Sequence, residues 1–275
     1  MSSTVTPAAP VTVVIGTGGM GLAVARRQGP GRRLLLADFD AKVLDAAADA
    51  LRGVGHDVTA RAVDVSSRPS VAALADAAAG LGAVTEVVHT AGLSPVQAPA
   101  EAVLRVDLLG VAYVLEEFGR VVAPGGAGVV VASMAGHMNP PLDAEQERAL
   151  ATTPADELLG LPFLRGQTSA AACYGLAKRA NHLRVQAASV AWGRRGARVN
   201  SLSPGVIATP MGRQELAGEH GEGMRAMIDA SAVRRLGTPD DIAAATAFLL
   251  GPGASFVSGT DLLVDGGVVA ALRSA

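Results

Sequence analysis

An apolar strand that ends in a run of glycines and restarts at once as a helix leaves a chain few folds to choose from. Val11 to Ile15 is β-branched and apolar, Gly16-Thr17-Gly18-Gly19-Met20-Gly21 follows, and Leu22 to Gln28 then reads as a helix. The glycines at 16, 18 and 21 form G-x-G-x-x-G, in which missing side chains let the backbone turn tightly and let a pyrophosphate approach the helix N-terminus. A second apolar strand, Arg33 to Ala37, ends in Asp38, 22 residues after Gly16. A carboxylate there accepts hydrogen bonds from the adenosine ribose hydroxyls and repels a 2′-phosphate, so the expected cofactor is NAD rather than NADP. Gly16, Gly18, Gly19, Met20, Gly21 and Asp38 are the first cofactor-binding candidates.

The alternation continues down the chain. Ala41 to Arg52 is a helix with an apolar stripe, Val58 to Val65 contains a third strand closing on Asp64-Val65, and Ser66 to Gly80 is an Ala-rich helix. Asp64 sits where a carboxylate meets an adenine amino group. The fourth strand, Val84 to His89, runs into the small-residue turn Thr90-Ala91-Gly92; the long helix Glu101 to Val121 then leads through a Pro124-Gly125-Gly126 turn to a fifth strand, Gly128 to Ala132. Arg198 to Leu202 is a sixth strand before Ser203-Pro204-Gly205, and Thr260 to Val264 closes the series. Strands that are almost wholly apolar rather than alternating belong to a parallel sheet covered on both faces, which makes the expected fold class a doubly wound α/β (Rossmann) architecture. The carboxyl ends of such strands are where ligands bind.

Length and charge narrow the function. At 275 residues with a formal charge of -2 and few aromatics, the chain fits one domain over 11–275 and has neither a basic stripe nor a stacking platform for nucleic acid. No stretch has the uninterrupted apolar length of a membrane span. Residues 1–10 are small and polar, without the flank and apolar core of a signal peptide, and are expected to be a disordered lead-in. The single cysteine, Cys173, excludes an internal disulfide and fits a reducing, cytoplasmic setting; it is expected to be a small buried side chain. His89 is expected to be a hydrogen-bonded structural histidine, since no second ligand with metal spacing lies near it, and no metal site is expected.

Tyr174 and Lys178 stand four residues apart in a proline-free, Ala-rich run, so one helical turn puts both on one face. A phenol is a poor acid or base at neutral pH, and an ammonium beside it stabilises the phenolate. By itself the pair is also compatible with an ordinary helix surface.

Taken together, the glycine turn, Asp38, Asp64-Val65, Ala91-Gly92, Ser133, Tyr174 with Lys178, Asn200, Pro204-Gly205, Thr209 and Asp265-Gly266-Gly267 resemble the short-chain dehydrogenase/reductase family from Val11 to Gly267. The resemblance implies a central sheet of about seven strands in the order 3-2-1-4-5-6-7, and a reaction interconverting a secondary alcohol and a ketone. Tyr174 would exchange the proton as general acid/base, Ser133 would hold the reacting oxygen, and Lys178 would lower the phenol's pKa and bind the nicotinamide ribose. Thr209 would contact the carboxamide, with Ala91, Gly92, Pro204, Gly205 and Ile207 completing the cofactor site. It also implies a homodimer or homotetramer built through the Tyr-bearing helix and the long helix before it.

Three places depart from the family pattern. The glycine turn lacks the family's usual first part. His89-Thr90 replaces a pair of asparagines, and Asp107 stands where an asparagine usually completes a proton relay. An ionised carboxylate accepts but cannot donate, so Asp107 enters only as a catalytic candidate. Residues 137–172 separate Ser133 from Tyr174 as an insertion, with helices expected at about Asp143 to Ala151 and Pro154 to Leu159. It reads equally as a substrate lid or a surface or subunit contact, and its apolar Leu158 to Leu164 stretch fits either a hydrophobic substrate or self-burial. Arg213 to Ser231 reads as a mobile segment over a cleft. The alternatives are a sugar-nucleotide epimerase or dehydratase, for which the C-terminal part is short, and an NAD-binding sensor with impaired catalysis.

Overall fold

The structure, a computed structural model, describes residues 9–96, 98–218 and 221–274. In chain order the elements begin β1 (Val11–Ile15), α1 (Gly19–Gln28), β2 (Arg33–Asp38), α2 (Ala41–Arg52), β3 (Asp57–Ala62), α3 (Arg68–Leu81) and β4 (Val84–His89). Next come α4 (Ala100–Val103), a π-helical segment (Leu104–Gly110), α5 (Val111–Val121), β5 (Val122–Val131), α6 (Ala135–Met138), α7 (Ala144–Thr152), α8 (Ala155–Leu158) and α9 (Ala170–Gly193). The chain closes with β6 (Arg198–Pro204), α10 (Pro210–Ala217), α11 (Gly221–Ala230), α12 (Pro239–Leu250), β7 (Asp261–Val264) and α13 (Val268–Ser274).

The seven strands form one sheet in the order β3-β2-β1-β4-β5-β6-β7, every pair parallel. Strands β1 and β2 are buried on both faces, and their side chains alternate between two cores. Val13, Ile15 and Leu35 face α3, α5 and α9, whereas Val14, Leu34 and Leu36 face α1, α2 and α12. This two-sided burial is what the unbroken apolar runs require of a parallel sheet.

Several boundaries differ from the sequence reading. Pro10 is already ordered, its carbonyl accepting from the Arg33 amide, while residues 1–8 of the expected lead-in lie outside the described residues. Strand β3 stops at Ala62, and Asp64-Val65 belong to the turn beyond it. The Pro124-Gly125-Gly126 turn lies inside β5 as an irregularity: pairing with β4 shifts between Val84 and Glu86, and Gly125 takes a φ of 78° while its amide bonds Gly196. The described residues of the segment from Arg213 to Ser231 belong mostly to two helices, α10 and α11. The long helix expected from Glu101 is interrupted by the π segment, a wider turn that carries Asp107.

Residues 137–172 form helices close to those expected and pack inward. Asp143 caps α7, with Gln146 returning the bond in a capping box. Leu150, Leu158 and Leu164 are buried in the same core as Leu108 and Leu183, so the Leu158 to Leu164 stretch mostly buries itself against the fold. Polar contacts fix its outer side: Arg184 Nη1 donates to the Leu150 and Thr153 carbonyls and Nη2 lies 3.2 Å from Glu116, while Arg68 bonds Glu116, Glu117 and Asp156. The middle of α9, from Ala177 to Val185, is consequently buried all round within one chain, apart from half-buried Arg179. The family resemblance assigns this helix to subunit pairing, and its middle is covered here within the chain, while Gln186, Ala187, Val190 and Ala191 stay exposed.

Candidate active site

At the carboxyl end of β1 the backbone does what only glycine allows. Gly16 adopts a φ of 91°, and a Cβ there would come 2.4 Å from the Ala91 amide nitrogen; a Cβ on Gly21 would come 1.8 Å from the Gly16 carbonyl oxygen. The turns after β1 and β4 are therefore in contact. Thr90 ties them together, its Oγ1 donating to the Gly16 carbonyl at 2.7 Å. A Cβ on Gly18 would meet nothing within 4 Å, so the N-terminus of α1 opens onto free space. Gly18 is its N-cap and makes no side-chain cap, leaving first-turn amides for a ligand.

Asp38 sits beside this turn. Its Oδ2 accepts from the Thr17 amide at 2.6 Å and from Thr17 Oγ1 at 3.1 Å, and its Oδ1 accepts from the Asp40 amide at 3.0 Å. Asp64 Oδ1 accepts from the amide and hydroxyl of Ser66, and Val65 packs so closely on Gly110 that a Cβ there would meet it at 2.9 Å. On the other side, β6 ends at Pro204 and Gly205 lies against Asp265, where a Cβ would meet its Cα at 2.7 Å. Ile207 is buried and bridges to Gly237. Thr209 caps α10 through the Gly212 amide, and its methyl faces Gly19 across the glycine turn. Met20 is half-buried and packs with the α1 core. The cofactor candidates thus converge on the carboxyl edge of the sheet from β2 to β6.

Ser133, Tyr174 and Lys178 meet at the same edge. Ser133 follows β5; its hydroxyl lies near enough to the Tyr174 phenol to favour the phenolate, and its Oγ accepts from the Ala135 amide. Ser169 caps α9, fixing the start of the helix that carries both other residues. Lys178 Nζ lies 5.2 Å from the centre of the Tyr174 ring and 2.8 Å from Asp107 Oδ1. Asp107 Oδ2 accepts from the Leu93 amide at 3.0 Å. Gly92 makes room for the pair, since a Cβ there would lie 2.6 Å from Asp107 Oδ1 and 3.3 Å from Lys178 Nζ.

The electrostatics follow from burial against pairing. Burial disfavours a charged Lys178, but Asp107 and the tyrosine more than offset it and hold the ammonium's pKa above its ordinary value. Burial pushes the Asp107 carboxyl up, and Lys178 and the Leu93 amide oppose this without cancelling it. Burial also pushes the Tyr174 phenol up; Lys178 pulls it down, and Asp107 pushes it up again. The lysine is therefore a less effective activator than an unpaired one.

Two expectations change. His89 is buried with neither ring nitrogen bonded to another group among the described residues, and burial with Lys178 nearby holds its pKa down at about 3, so it is a neutral core side chain rather than the hydrogen-bonded one expected. Cys173 is buried, as expected, and burial pushes its thiol up. It lines a cavity of about 170 Å³ with Leu104, Leu142, Leu164 and Leu176, which is where the Leu158 to Leu164 stretch comes nearest to open space. Sequence reasoning missed Thr17 and the contact of Ser94 Oγ with Glu215 Oε1 at 2.5 Å, which links the turn after β4 to α10. Glu215 is close enough to Tyr174 for its charge to raise the phenol's pKa. Its one visible signal was its place in the charged segment after Thr209.

Comparison with known proteins bears on this geometry. A family model described as enoyl-(acyl carrier protein) reductase matches residues 14–145 and 163–269, breaking off across most of α7 and α8. A short-chain dehydrogenase/reductase of Alternaria brassicicola is 43% identical over 267 residues, covering 94% of this chain and 96% of its own. Galactitol 2-dehydrogenase (L-tagatose-forming) of Cereibacter sphaeroides is 33% identical, with 92% of each chain covered. Among solved structures, a short-chain dehydrogenase/reductase of the glucose/ribitol dehydrogenase type from Brucella melitensis is 26% identical with a TM-score of 0.74, covering 95% of this chain and 97% of that one. With a family model over most of its length and relatives above 30% identity aligned nearly end to end, the chain belongs to the short-chain dehydrogenase/reductase family.

Proposed function

We propose that the protein is an NAD-dependent oxidoreductase interconverting a secondary alcohol and a ketone, with Tyr174 as general acid/base. The observation that carries this reading is the meeting of Ser133, Tyr174 and Lys178 beside an open glycine turn at the carboxyl edge of the sheet. A dinucleotide fits the residues present: Gly18 leaves the space and amides a pyrophosphate needs, and the Asp38 carboxylate accepts directly from the amide of the turn's Thr17. When bound, the nicotinamide supplies or takes the hydride. Ser133 orients the substrate oxygen, Tyr174 gives or takes its proton, and Lys178 steadies the phenolate. The related galactitol 2-dehydrogenase supports a hydroxylated substrate.

The test is turnover of linear polyols, alicyclic alcohols and hydroxysteroids with NAD, and of the matching ketones with NADH. No turnover on any of them, despite NADH binding, would instead favour the sensor reading.

Cofactor choice gives a second expected result. NADH is expected to bind at least about tenfold more tightly than NADPH, a difference of about 1.4 kcal/mol. Asp38→Asn keeps an acceptor for Thr17 while removing the charge that repels a 2′-phosphate, and should narrow that preference in fluorescence titrations. NADPH binding more tightly to the unaltered protein would refute the reading of Asp38.

Assembly is part of the same reading. With the middle of α9 covered by residues 137–172, the exposed apolar side chains Phe256, between α12 and β7, Phe248 on α12 and Val190 near the end of α9 offer another route. A homo-oligomer is expected by family analogy, and its joining at these side chains rests on their exposure alone. Light scattering should show a dimer or tetramer that Phe256→Asp dissociates; an unchanged assembly in that variant would place the contact elsewhere.

A further inference from the structure

We propose that His137, His182 and Asp261 form a binding site for a divalent transition-metal ion of the zinc type. The three come from separate elements, α6, α9 and the first residue of β7, and one ligand atom from each lies within 4.8 Å of the others. His137 Nε2 is 2.7 Å from Asp261 Oδ2, and His182 Nε2 is 3.5 Å from Asp261 Oδ1. Two imidazoles and a carboxylate are the donor set that zinc, cobalt and nickel favour, and three protein ligands leave a position for water or for Ser203. Ser203 Oγ lies 2.9 Å from His182 Nε2 and 3.0 Å from Asp261 Oδ1.

The surroundings are built for close approach. Gly136 has no Cβ because one there would lie 2.7 Å from His182 Cε1, so the α6 backbone rests directly on the imidazole. The two rings stand 4.7 Å apart at their centres. Arg273 donates to the His137 carbonyl, holding α6 from outside. His182 and the Asp261 carboxylate are nearly buried, whereas the His137 side chain is 22% exposed and gives an ion one side from which to enter.

Ligand atoms around a tetrahedral zinc are roughly 3.3 Å apart, given metal–ligand bonds of about 2.0–2.1 Å. The two imidazoles reach different oxygens of Asp261, His182 at 3.5 Å from Oδ1 and His137 at 2.7 Å from Oδ2, so with one carboxylate oxygen on the ion the separations, all within 4.8 Å, must adjust toward this value. His137, on a four-residue helix with a partly exposed side chain, is the ligand free to make this adjustment. The sequence spacing conceals the site, since its members are 45 and 79 residues apart.

A bound ion would join three parts of the fold around the reacting groups. His137 is four residues beyond Ser133, and His182 is one turn beyond Lys178. The role is structural, because none of the three ligands touches the groups assigned to proton transfer.

The experiment uses the full chain, untagged and stripped of metal with a chelator, titrated with Zn²⁺ and separately with Co²⁺. The expected result is one ion per chain at micromolar affinity or tighter, a visible cobalt spectrum of low-symmetry coordination, and a higher melting temperature with zinc. His137→Gln should abolish uptake and the temperature rise while leaving the metal-free melting temperature nearly unchanged, and Asp261→Asn should also abolish uptake. His56→Gln should bind as the unaltered protein does. Absence of stoichiometric binding in the unaltered chain, or binding that survives His137→Gln, overturns the proposal.

Discussion

Replacing Tyr174 with phenylalanine is expected to lower kcat by at least about 10² to 10⁴ in both directions, the range that a positioned acid or base contributes. NADH affinity should stay nearly unchanged. The substitution keeps the ring beside which Lys178 lies and removes only the hydroxyl that Ser133 neighbours. Ser133 retains its contact with the Ala135 amide, so the loop after β5 has no reason to move. The pH dependence makes the assignment sharper. Burial, Asp107 and Glu215 raise the phenol's proton affinity against the pull of Lys178, so the protonated form dominates at neutral pH. A protonated phenol is the form that donates to a ketone, and a phenolate is the form that accepts from an alcohol. Reduction should therefore be fully active at neutral pH and fall as pH rises through the tyrosine pKa, and oxidation should rise over the same interval. In Tyr174→Phe the residual rates should lose both limbs. Full activity in that variant, or an unaltered profile, would remove Tyr174 from the chemistry.

What could be read from the chain before its fold was known divides along a physical line. The glycine turn, the strand and helix alternation and the Tyr174–Lys178 step are local patterns. Their geometry is set within a few residues, by φ at Gly16 or by the pitch of α9, so their spacing translates directly into shape. Contacts between distant residues left no such trace. Nothing in the sequence near Asp107 announces a π-helical turn, and nothing pairs it with Lys178 across 71 positions. The Leu158 to Leu164 stretch was ambiguous for the same reason: apolar residues bury themselves, but composition does not say against what. Here the answer is the outer side of α5 and α9, with only Leu164 reaching a cavity. That same packing covers the middle of α9 within one chain, which composition alone could not announce. His89 was misjudged because a buried imidazole generally finds a partner, whereas this one stands without one among the described residues, between the sheet and the Lys178 side of the core.

Asp107→Asn is the substitution expected to reveal most about what sets this protein apart from the family pattern. In the unaltered chain one carboxylate serves two buried donors, Lys178 at 2.8 Å and the Leu93 amide at 3.0 Å. An asparagine has the same shape but only one acceptor oxygen, so one of those donors must lose its partner. The stability cost is expected to be at least about 1 kcal/mol, short of the roughly 3–5 kcal/mol that full removal of one member of a buried ion pair costs. Melting temperature should fall by at least about 2–4 °C. The effect on proton transfer has the opposite sign. Loss of the carboxylate removes one group that raises the Tyr174 pKa, and it uncovers the ammonium that lowers it. The alkaline rise of the oxidation rate should then move to lower pH, because the phenolate loses a neighbouring negative charge and faces an unpaired ammonium. Oxidation near neutral pH should become faster in a less stable protein. A profile that stays in place while stability falls would mean that the pair holds Lys178 in the core without tuning the tyrosine. A profile that moves to higher pH would mean that the uncovered Lys178 sheds its proton, because burial, no longer opposed by Asp107, then decides its charge.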